Sequence, residues 1–292
     1  VDGTIDQGSA HTYVMEGDAW TQIAKPVASD DAAMGMFGYS VSISGDTCVV
    51  SAYGDDAAYV FTRNNEIADD WGQVAKLNAS DGTTGKYFGE SVSISGDIIV
   101  IGESMGDGAV NDSGAAYVFY RNNGSMDGWG QVKKLTASDG ADQDMFGISV
   151  SISGDTIVVG ASKGDGVEAD SGSAYVFVRN NQSADDWGQV KKLTASDGVD
   201  GDYFGASVSI SGDTIVVGAY LDDVDGNTSQ GSAYVFTRNN ETHADVWEEA
   251  TKLTASDGAA NNRFGCSVSI GMDIIVVGAY LDDVDGNTSQ GS

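Results

Sequence analysis

The chain has 292 residues and a formal net charge of −30, from 44 acidic and 14 basic side chains. Such a surface repels phosphate backbones and anionic headgroups, which argues against nucleic acid and against direct membrane insertion. No run of about 18 apolar residues is present to span a bilayer as a helix, and the apolar fraction of 41% still suffices for a core.

One unit recurs along the chain. Its Trp falls at Trp20, Trp71, Trp129, Trp187 and Trp247, and the Phe of an FG pair at Phe37, Phe88, Phe146, Phe204 and Phe264. Both series step by 51, 58, 58 and 60 residues. A period of this length marks one supersecondary unit copied, with a core made by stacking the copies.

The chain opens inside a loop: residues 1–9 (VDGTIDQGS) match 224–232 (VDGNTSQGS). No basic and apolar leader precedes it, so any signal peptide is expected to have been removed or to lie outside the chain. Two strands follow, at about 10–16 and 20–27. The repeat is clearest from Phe204. Residues 204–211 alternate, with Val208 and Ile210 on one face and Ser207, Ser209 and Ser211 on the other, which predicts a strand, A. Gly212-Asp213 makes a tight turn. Residues 214–219 are β-branched and apolar, a strand B buried on both faces. A polar loop over 222–231 leads to strand C at 232–238, and strand D at 247–255 is more polar, as an edge strand should be, with Lys252 guarding the edge. The chain ends with an A–B pair at 264–280 and a second copy of the opening loop at 284–292.

Four antiparallel strands per copy without a helical period predict an all-β fold, a β-propeller of four-stranded blades. Blades are expected at 37–81, 88–139, 146–197 and 204–257. The orphan A–B pair at 264–292 and the orphan C–D pair at 1–30 would form a fifth, closing a ring by a two-plus-two strand clasp. The duplicated loop supports the alternative, a part of a seven-bladed or longer array. In either case Phe fills the gap between blades, Gly admits the neighbouring backbone, and Trp is core filler.

The acidic B–C loops are the candidate metal sites. Asp223, Asp225 and Asn227 stand at alternate positions, copied at Asp283, Asp285 and Asn287. Alternate oxygens on a Gly-containing loop can converge on a hard cation such as calcium, though plain turn roles explain the same residues. The equivalent loops carry Asp107, Asn111 and Asp112, then Asp165, Glu168 and Asp170, while the first full blade keeps only Gly54-Asp55-Asp56. The D–A loops add Asp142 with Asp144 and Asp200 with Asp202. Sequons occur at Asn78, Asn111, Asn123, Asn181, Asn227, Asn240 and Asn287, and three of them follow the same R-N-N turn, where a glycan would be exposed. Cys48 and Cys266 occupy non-equivalent positions and are no disulfide framework; two buried thiols or one long-range bridge both fit. His11 and His243 have no partners at a ligand spacing, and no nucleophile elbow or phosphate loop appears. No catalytic or cofactor-binding residue is therefore expected.

The repeated FG followed by GA, in FGISVSISGDTIVVGAS and FGASVSISGDTIVVGAY, resembles the FG-GAP repeat of integrin alpha-subunit propellers. It is most similar to the bacterial and protist subtype, with GSAYVF, the Trp and KLTASDG. The resemblance covers nearly the whole chain and implies a secreted or cell-surface, non-enzymatic adhesion or scaffold module that binds a protein or glycan partner. It is compatible with a place in a larger surface assembly. Integrin blades carry a calcium loop between A and B; here that turn is only Ser153-Gly154-Asp155 and its counterparts, so those calcium sites do not carry over. A lectin-like sugar-binding propeller is the alternative, with Tyr39, Tyr87, Tyr203, Tyr220 and Tyr280 available, and a propeller enzyme is the third.

Overall fold

Period-two alternation becomes strand in every repeat. A computed structural model describes residues 8–30, 35–64, 70–82, 84–122, 128–179, 186–239, 246–283 and 291. The first hairpin is β1 (Thr12–Glu16) and β2 (Ala19–Ala24). A four-stranded sheet follows, β3 (Phe37–Ser44), β4 (Thr47–Ala52), β5 (Ala57–Asn64) and β6 (Asp70–Leu77), with a single 3-10 turn at Tyr53–Asp55. The second sheet holds β7 (Ser91–Ser95), β8 (Ile98–Glu103), β9 (Ala115–Arg121) and β10 (Trp129–Leu135). The third holds β11 (Phe146–Ser153), β12 (Thr156–Ala161), β13 (Ser173–Arg179) and β14 (Trp187–Leu193). The fourth holds β15 (Phe204–Ser211), β16 (Thr214–Ala219), β17 (Ser232–Asn239) and β18 (Val246–Leu253), and β19 (Phe264–Gly271) with β20 (Ile274–Ala279) closes the series.

Every sheet is an antiparallel meander in chain order, the arrangement of a propeller blade. Strand B is buried along its length, as in β12, and the D strands at the outer edge are the most exposed. Each interior Phe of an FG pair is enclosed by two rings of its own blade: Phe146 meets Tyr175 at a tilt and Phe177 edge-on, with centroids 5.5 and 6.0 Å apart. The following Gly is where two blades touch. Gly205 has φ +93°, and a Cβ there would overlap the Ser173 carbonyl of the preceding blade. Phe146 also shares a buried cluster with Val118, Leu135 and Ala137 of the preceding blade, so both roles expected of the FG pair are filled. A β-bulge follows the pair, where Phe204 and Ser207 of β15 face Ala219 and Gly218.

The A strands of successive blades pack against one another, β7 on β3, β11 on β7, β15 on β11 and β19 on β15. As the first strand of its sheet, each has one edge without a ladder partner, and its serines supply acceptors to the next blade. Ser93 Oγ accepts from the Ile152 N–H, Ser151 Oγ from the Ile210 N–H and Ser209 Oγ from the Ile270 N–H, each at 3.1–3.2 Å. Alternation thus does two jobs: Val and Ile fill the seam, and Ser satisfies the edge backbone across it.

The two end hairpins differ from the five-bladed expectation. Among the described residues β1–β2 and β19–β20 are separate two-stranded sheets, and the clasp that would join them is not formed. Their apolar side chains remain in solvent: Trp20 is 66% exposed and Ile274 67%. The molecule described is four full blades flanked by two half-blades. No helix among the described residues is long and apolar enough to cross a membrane.

Candidate functional site

The B–C loops sit where each blade meets the next, and most of their acids already have partners. In the first full blade, the Asp56 carboxylate accepts from the N–H groups of Gly85 (2.6 Å), Tyr87 (2.9 Å) and Phe88 (3.3 Å), all in the loop that opens the next blade. In the second, Asp107 and Asp112 are brought together, with Lys86 between them: its Nζ lies 3.1 Å from Asp107 Oδ1 and in close contact with Asp112. The Asp112 N–H and Lys86 hold the Asp107 carboxyl below the usual carboxylate range. A lysine ammonium thus occupies the position a cation would take. In the third, Asp165 Oδ1 accepts the Asp170 N–H at 3.3 Å, a turn contact within the loop. In the fourth, Asp223 accepts the Ser229 N–H at 2.7 Å, Asp225 has a left-handed φ of 52°, and Asn227 donates to Gln230 at 2.8 Å. Asp283 is described; Asp285 and Asn287 lie outside the described residues. Among the described residues no group of three or more His, Cys, Asp or Glu side chains is placed to hold a metal ion.

The D-x-D pairs are split. Asp142 and Asp200 point to solvent, while Asp144 and Asp202 are buried and accept the N–H of Ala141 (2.7 Å) and Val199 (2.8 Å). Burial, with Asp222 and Asp223 nearby, pushes the Asp202 carboxyl up to about 6. Of the sequons, Asn123, Asn181, Asn240 and Asn287 lie outside the described residues. Asn78 and Asn111 are exposed, but the Asn78 amide donates to the Asp56 carbonyl at 2.9 Å. Cys48 and Cys266 are both free thiols, and burial pushes Cys48 up to about 11.

A constellation that the sequence reading missed recurs at every seam between full blades and at the seam between the first hairpin and the first full blade. The Asp of the SDG turn reaches forward to the strand-D Lys of the next blade: Asp30 to Lys76 (2.6 Å), Asp81 to Lys134 (2.6 Å), Asp139 to Lys192 (2.5 Å) and Asp197 to Lys252 (2.7 Å). That Lys also lies over the strand-C Tyr, 5.5 Å from the Tyr175 centroid in the case of Lys192, and the Tyr175 hydroxyl donates to Asp139 at 2.9 Å. Burial raises the Asp139 carboxyl, but the bonds from Lys192 and Tyr175 outweigh it and hold its pKa below the usual value. Beside this latch, Gln189 Oε1 accepts the Ser138 N–H at 3.0 Å and Gln189 Nε2 donates to Ser138 Oγ at 2.9 Å, repeated at Gln73, Gln131 and, as a carboxylate, Glu249. The signal was available: Lys of KL and Asp of SDG recur in copy after copy.

Two places depart from this structural pattern. Glu103 stands where other blades carry Ala52, Ala161 and Ala219. It is 2% exposed; its Oε2 accepts from the Tyr117 hydroxyl at 2.7 Å, and its Oε1 has no hydrogen-bond partner among the described residues. Burial pushes it up to about 7. It lines a cavity of about 150 Å³ with Asp55, Asp56 and Asn78. The second place is aromatic. Tyr203, Tyr220 and Tyr280 line a cavity of about 510 Å³ together with Lys163 and Cys266. Tyr203 and Tyr220 are 5.8 Å apart edge-on, and Arg263 lies over both Tyr220 and Tyr280. Tyr39, Tyr53 and Tyr87 form a smaller cluster, with centroids 4.2 and 5.7 Å apart.

A family model described as the FG-GAP repeat matches residues 20–61, 71–119, 129–177, 187–236 and 247–292. None of the curated proteins matches the chain. Among solved structures, a Lactobacillus plantarum protein is similar over 87% of this chain and 67% of its own, with 13% identity and a TM-score of 0.54. A Bacteroides fragilis protein, provisionally named a 6-phosphogluconolactonase, is similar over 89% of this chain and 68% of its own, with 12% identity and a TM-score of 0.57. At such identities the likeness is one of fold alone.

Proposed function

The chain belongs to the FG-GAP repeat family, and from that premise we propose that it is a non-catalytic adhesion or scaffold module, secreted or at the cell surface, whose blades present loops to a protein or glycan partner. The observation that carries this reading is the latch. Across each seam between full blades the charged and polar side chains of the repeat are used to hold one blade to the next, through Asp139, Lys192, Tyr175 and their counterparts. Such a body is rigid, and rigidity suits presentation of a binding surface at low entropic cost. Calcium enters this reading at the Asp165–Asp170 loop, the loop of Asp223, Asp225 and Asn227 and its copy at Asp283, Asp285 and Asn287, while Lys86 already sits between Asp107 and Asp112. The test is attachment: the immobilised chain should retain surface glycans or extracellular proteins in biolayer interferometry. A chain that binds none of a broad panel, yet turns over a sugar-phosphate or ester substrate, removes the reading.

A second reading, a sugar-binding propeller, is favoured by the cavity of Tyr203, Tyr220 and Tyr280. Aromatic faces beside polar groups suit the mixed surface of a sugar ring. A glycan array probed with the wild-type chain and with Tyr220→Ala separates the two: loss of a glycan signal in the variant assigns the cavity, and unchanged binding places recognition elsewhere.

A further inference from the structure

Two departures from the repeat meet at one seam, between the first and second full blades. The B–C connection of the first full blade is residues 53–56, where the later blades use 104–114, 162–172 and 220–231. Those longer loops fold over the SDG turn that follows strand D. A Cβ on the turn glycine would lie 3.4 Å from the Ala109 side chain at Gly140, 3.7 Å from Ser171 at Gly198 and 2.3 Å from Gln230 at Gly258. At Gly82 the three nearest atoms all belong to Ala79 of the same turn, and Gly82 is exposed where Gly198 is buried. The short loop thus leaves this turn uncovered, and the cavity of about 150 Å³ lies beside it. Glu103 is the second departure, and it lines the same cavity from the end of β8.

Glu103 does for its blade what Asp222 does for the fourth, with one partner missing. Asp222 Oδ2 accepts from the Tyr234 hydroxyl at 3.2 Å and pairs with Lys252 at 2.7 Å. Gly106 is the counterpart of Asp222. Its lack of a side chain leaves the room that the Glu103 carboxyl fills, since a Cβ there would lie 2.2 Å from Glu103 Oε2. Glu103 Oε2 accepts from Tyr117, the counterpart of Tyr234. Lys134, the counterpart of Lys252, bonds instead to Asp81 and to the Asp107 carbonyl, each at 2.6 Å. Glu103 Oε1 is left without a hydrogen-bond partner among the described residues, on a side chain 2% exposed. A buried carboxylate oxygen in that state is destabilising until a donor reaches it.

The rest of the lining suits a cationic donor. Asp55 is a half-buried carboxylate, and the Asn78 amide donates to the Asp56 carbonyl, which leaves its Oδ1 to accept. No Lys, Arg or His is among the described residues that line the cavity, and Phe88 and Ala79 give it an apolar wall. Calcium takes six to eight oxygens, but both Asp56 oxygens are already bonded to the N–H groups of Gly85, Tyr87 and Phe88. What this chain itself places between two acids is an ammonium: Lys86 between Asp107 and Asp112, and Lys252 between Asp197 and Asp222. The cavity is also well below the roughly 300 Å³ at which sites for drug-sized ligands begin, so its occupant is a small group.

We propose that this cavity binds an alkylammonium group, held by Glu103, Asp55 and Asn78 with its stem against Phe88 and Ala79. The lysine side chain of another protein and a small free amine share this chemistry. The net charge of −30 draws such cations to the surface, and added salt weakens the attraction. The site is formed at a seam, away from the tyrosine cavity, and does not rest on the adhesion reading.

The experiment is an amide NMR titration of the full chain in low salt at about pH 8, above the value of about 7 to which burial pushes Glu103, so that the carboxyl is ionised. The probes are n-butylammonium, Nα-acetyl-lysine N-methylamide, n-butanol and calcium chloride. n-Butylammonium should give saturable shifts centred on the amides of Asp55, Asp56 and Gly85, and n-butanol at the same concentrations should give none. Glu103→Ala brings in the side chain that the other blades carry at Ala52, Ala161 and Ala219, and should weaken binding about tenfold or more. Glu103→Gln keeps the acceptor for Tyr117 and should weaken binding as well, which ties the loss to the missing charge. Tighter binding of the lysine derivative than of n-butylammonium assigns the site to a lysine of another protein, and the reverse order assigns it to a free amine. The absence of saturable shifts overturns the proposal, as does equal binding of n-butanol or unchanged affinity in both variants. Calcium binding at the same amides more tightly than either amine also overturns it, by making the cavity a metal site.

Discussion

Glu103 offers a measurement in which one buried carboxyl reports on its surroundings. Burial raises its pKa from 4.5 to about 7. The folded state therefore holds this proton more tightly than the unfolded chain does. Stability from this group is greatest at low pH and is lost as pH rises from 4.5 through about 7. A tenfold difference in proton affinity between the two states is worth about 1.4 kcal/mol, so ionising Glu103 removes about 2 kcal/mol between about pH 5.5 and 8. Glu103→Gln keeps the acceptor for the Tyr117 hydroxyl and cannot ionise. Urea unfolding followed by Trp fluorescence should show the wild type losing that amount relative to the variant over this interval. All other carboxylates are common to both proteins, so their repulsion cancels in the comparison. Parallel stability profiles for the two would refute the reasoning and place Glu103 in a hydrated setting.

The latch predicts an asymmetry. Lys192→Met removes an ion pair whose Asp139 side chain is 48% exposed, so it should cost no more than about 1 kcal/mol, whereas Asp139→Ala removes the acceptor of the buried Tyr175 hydroxyl and should cost about 2 kcal/mol; equal losses in denaturant titration would contradict this. Because Asp139 is held below its ordinary pKa, the latch contribution is present above the unfolded carboxylate pKa and fades as pH falls through the folded one, a loss the Asp139→Ala variant should not show. Ser151→Ala should leave the Ile210 N–H without its acceptor across the seam, costing about 1–3 kcal/mol and speeding amide exchange in β15, and unchanged exchange there would show that the serine is idle. Calcium should raise the melting temperature if the Asp165–Asp170 and Asp223–Asp225 loops hold it, with Asp165→Asn reducing the effect; a melting temperature indifferent to chelator removes calcium from the account.

The blade was legible because its signals are local. Ser153-Gly154-Asp155 makes a turn within three residues, and alternation in β15 is a property of adjacent positions. The FG pair was legible for a different reason: a small residue after a large one, recurring at every seam, implies a close backbone approach, and Gly205 against Ser173 is that approach. The latch escaped because each member has a sufficient local explanation. Lys252 guards an edge and Asp197 ends a turn, and nothing within a short window says that residues 55 apart in sequence meet. The candidate metal loops were legible as acidic but not as occupied, since the lysine that joins Asp107 to Asp112 comes from position 86, in the preceding loop. The ends were least legible of all. Copying the repeat says which strands are complementary, but whether one chain can bring them together depends on the angle between successive blades, which no single repeat encodes.

The charge distribution follows from the same arrangement. Lys76, Lys134, Lys192 and Lys252 all bridge blades. Arg121, paired with Asp97 of its own blade at 3.0 Å, also donates to the Thr47 hydroxyl of the preceding blade, and Arg238, paired with Asp213 at 3.5 Å, donates to the Thr156 hydroxyl of the preceding blade at 2.6 Å. Basic side chains are thus concentrated where two acidic units must approach, and the surplus of acids is left on the loops and turns. A stack of like-charged repeats is stable only if attraction at each seam exceeds repulsion between units, and cations placed at the seam act at short range where screening is weak.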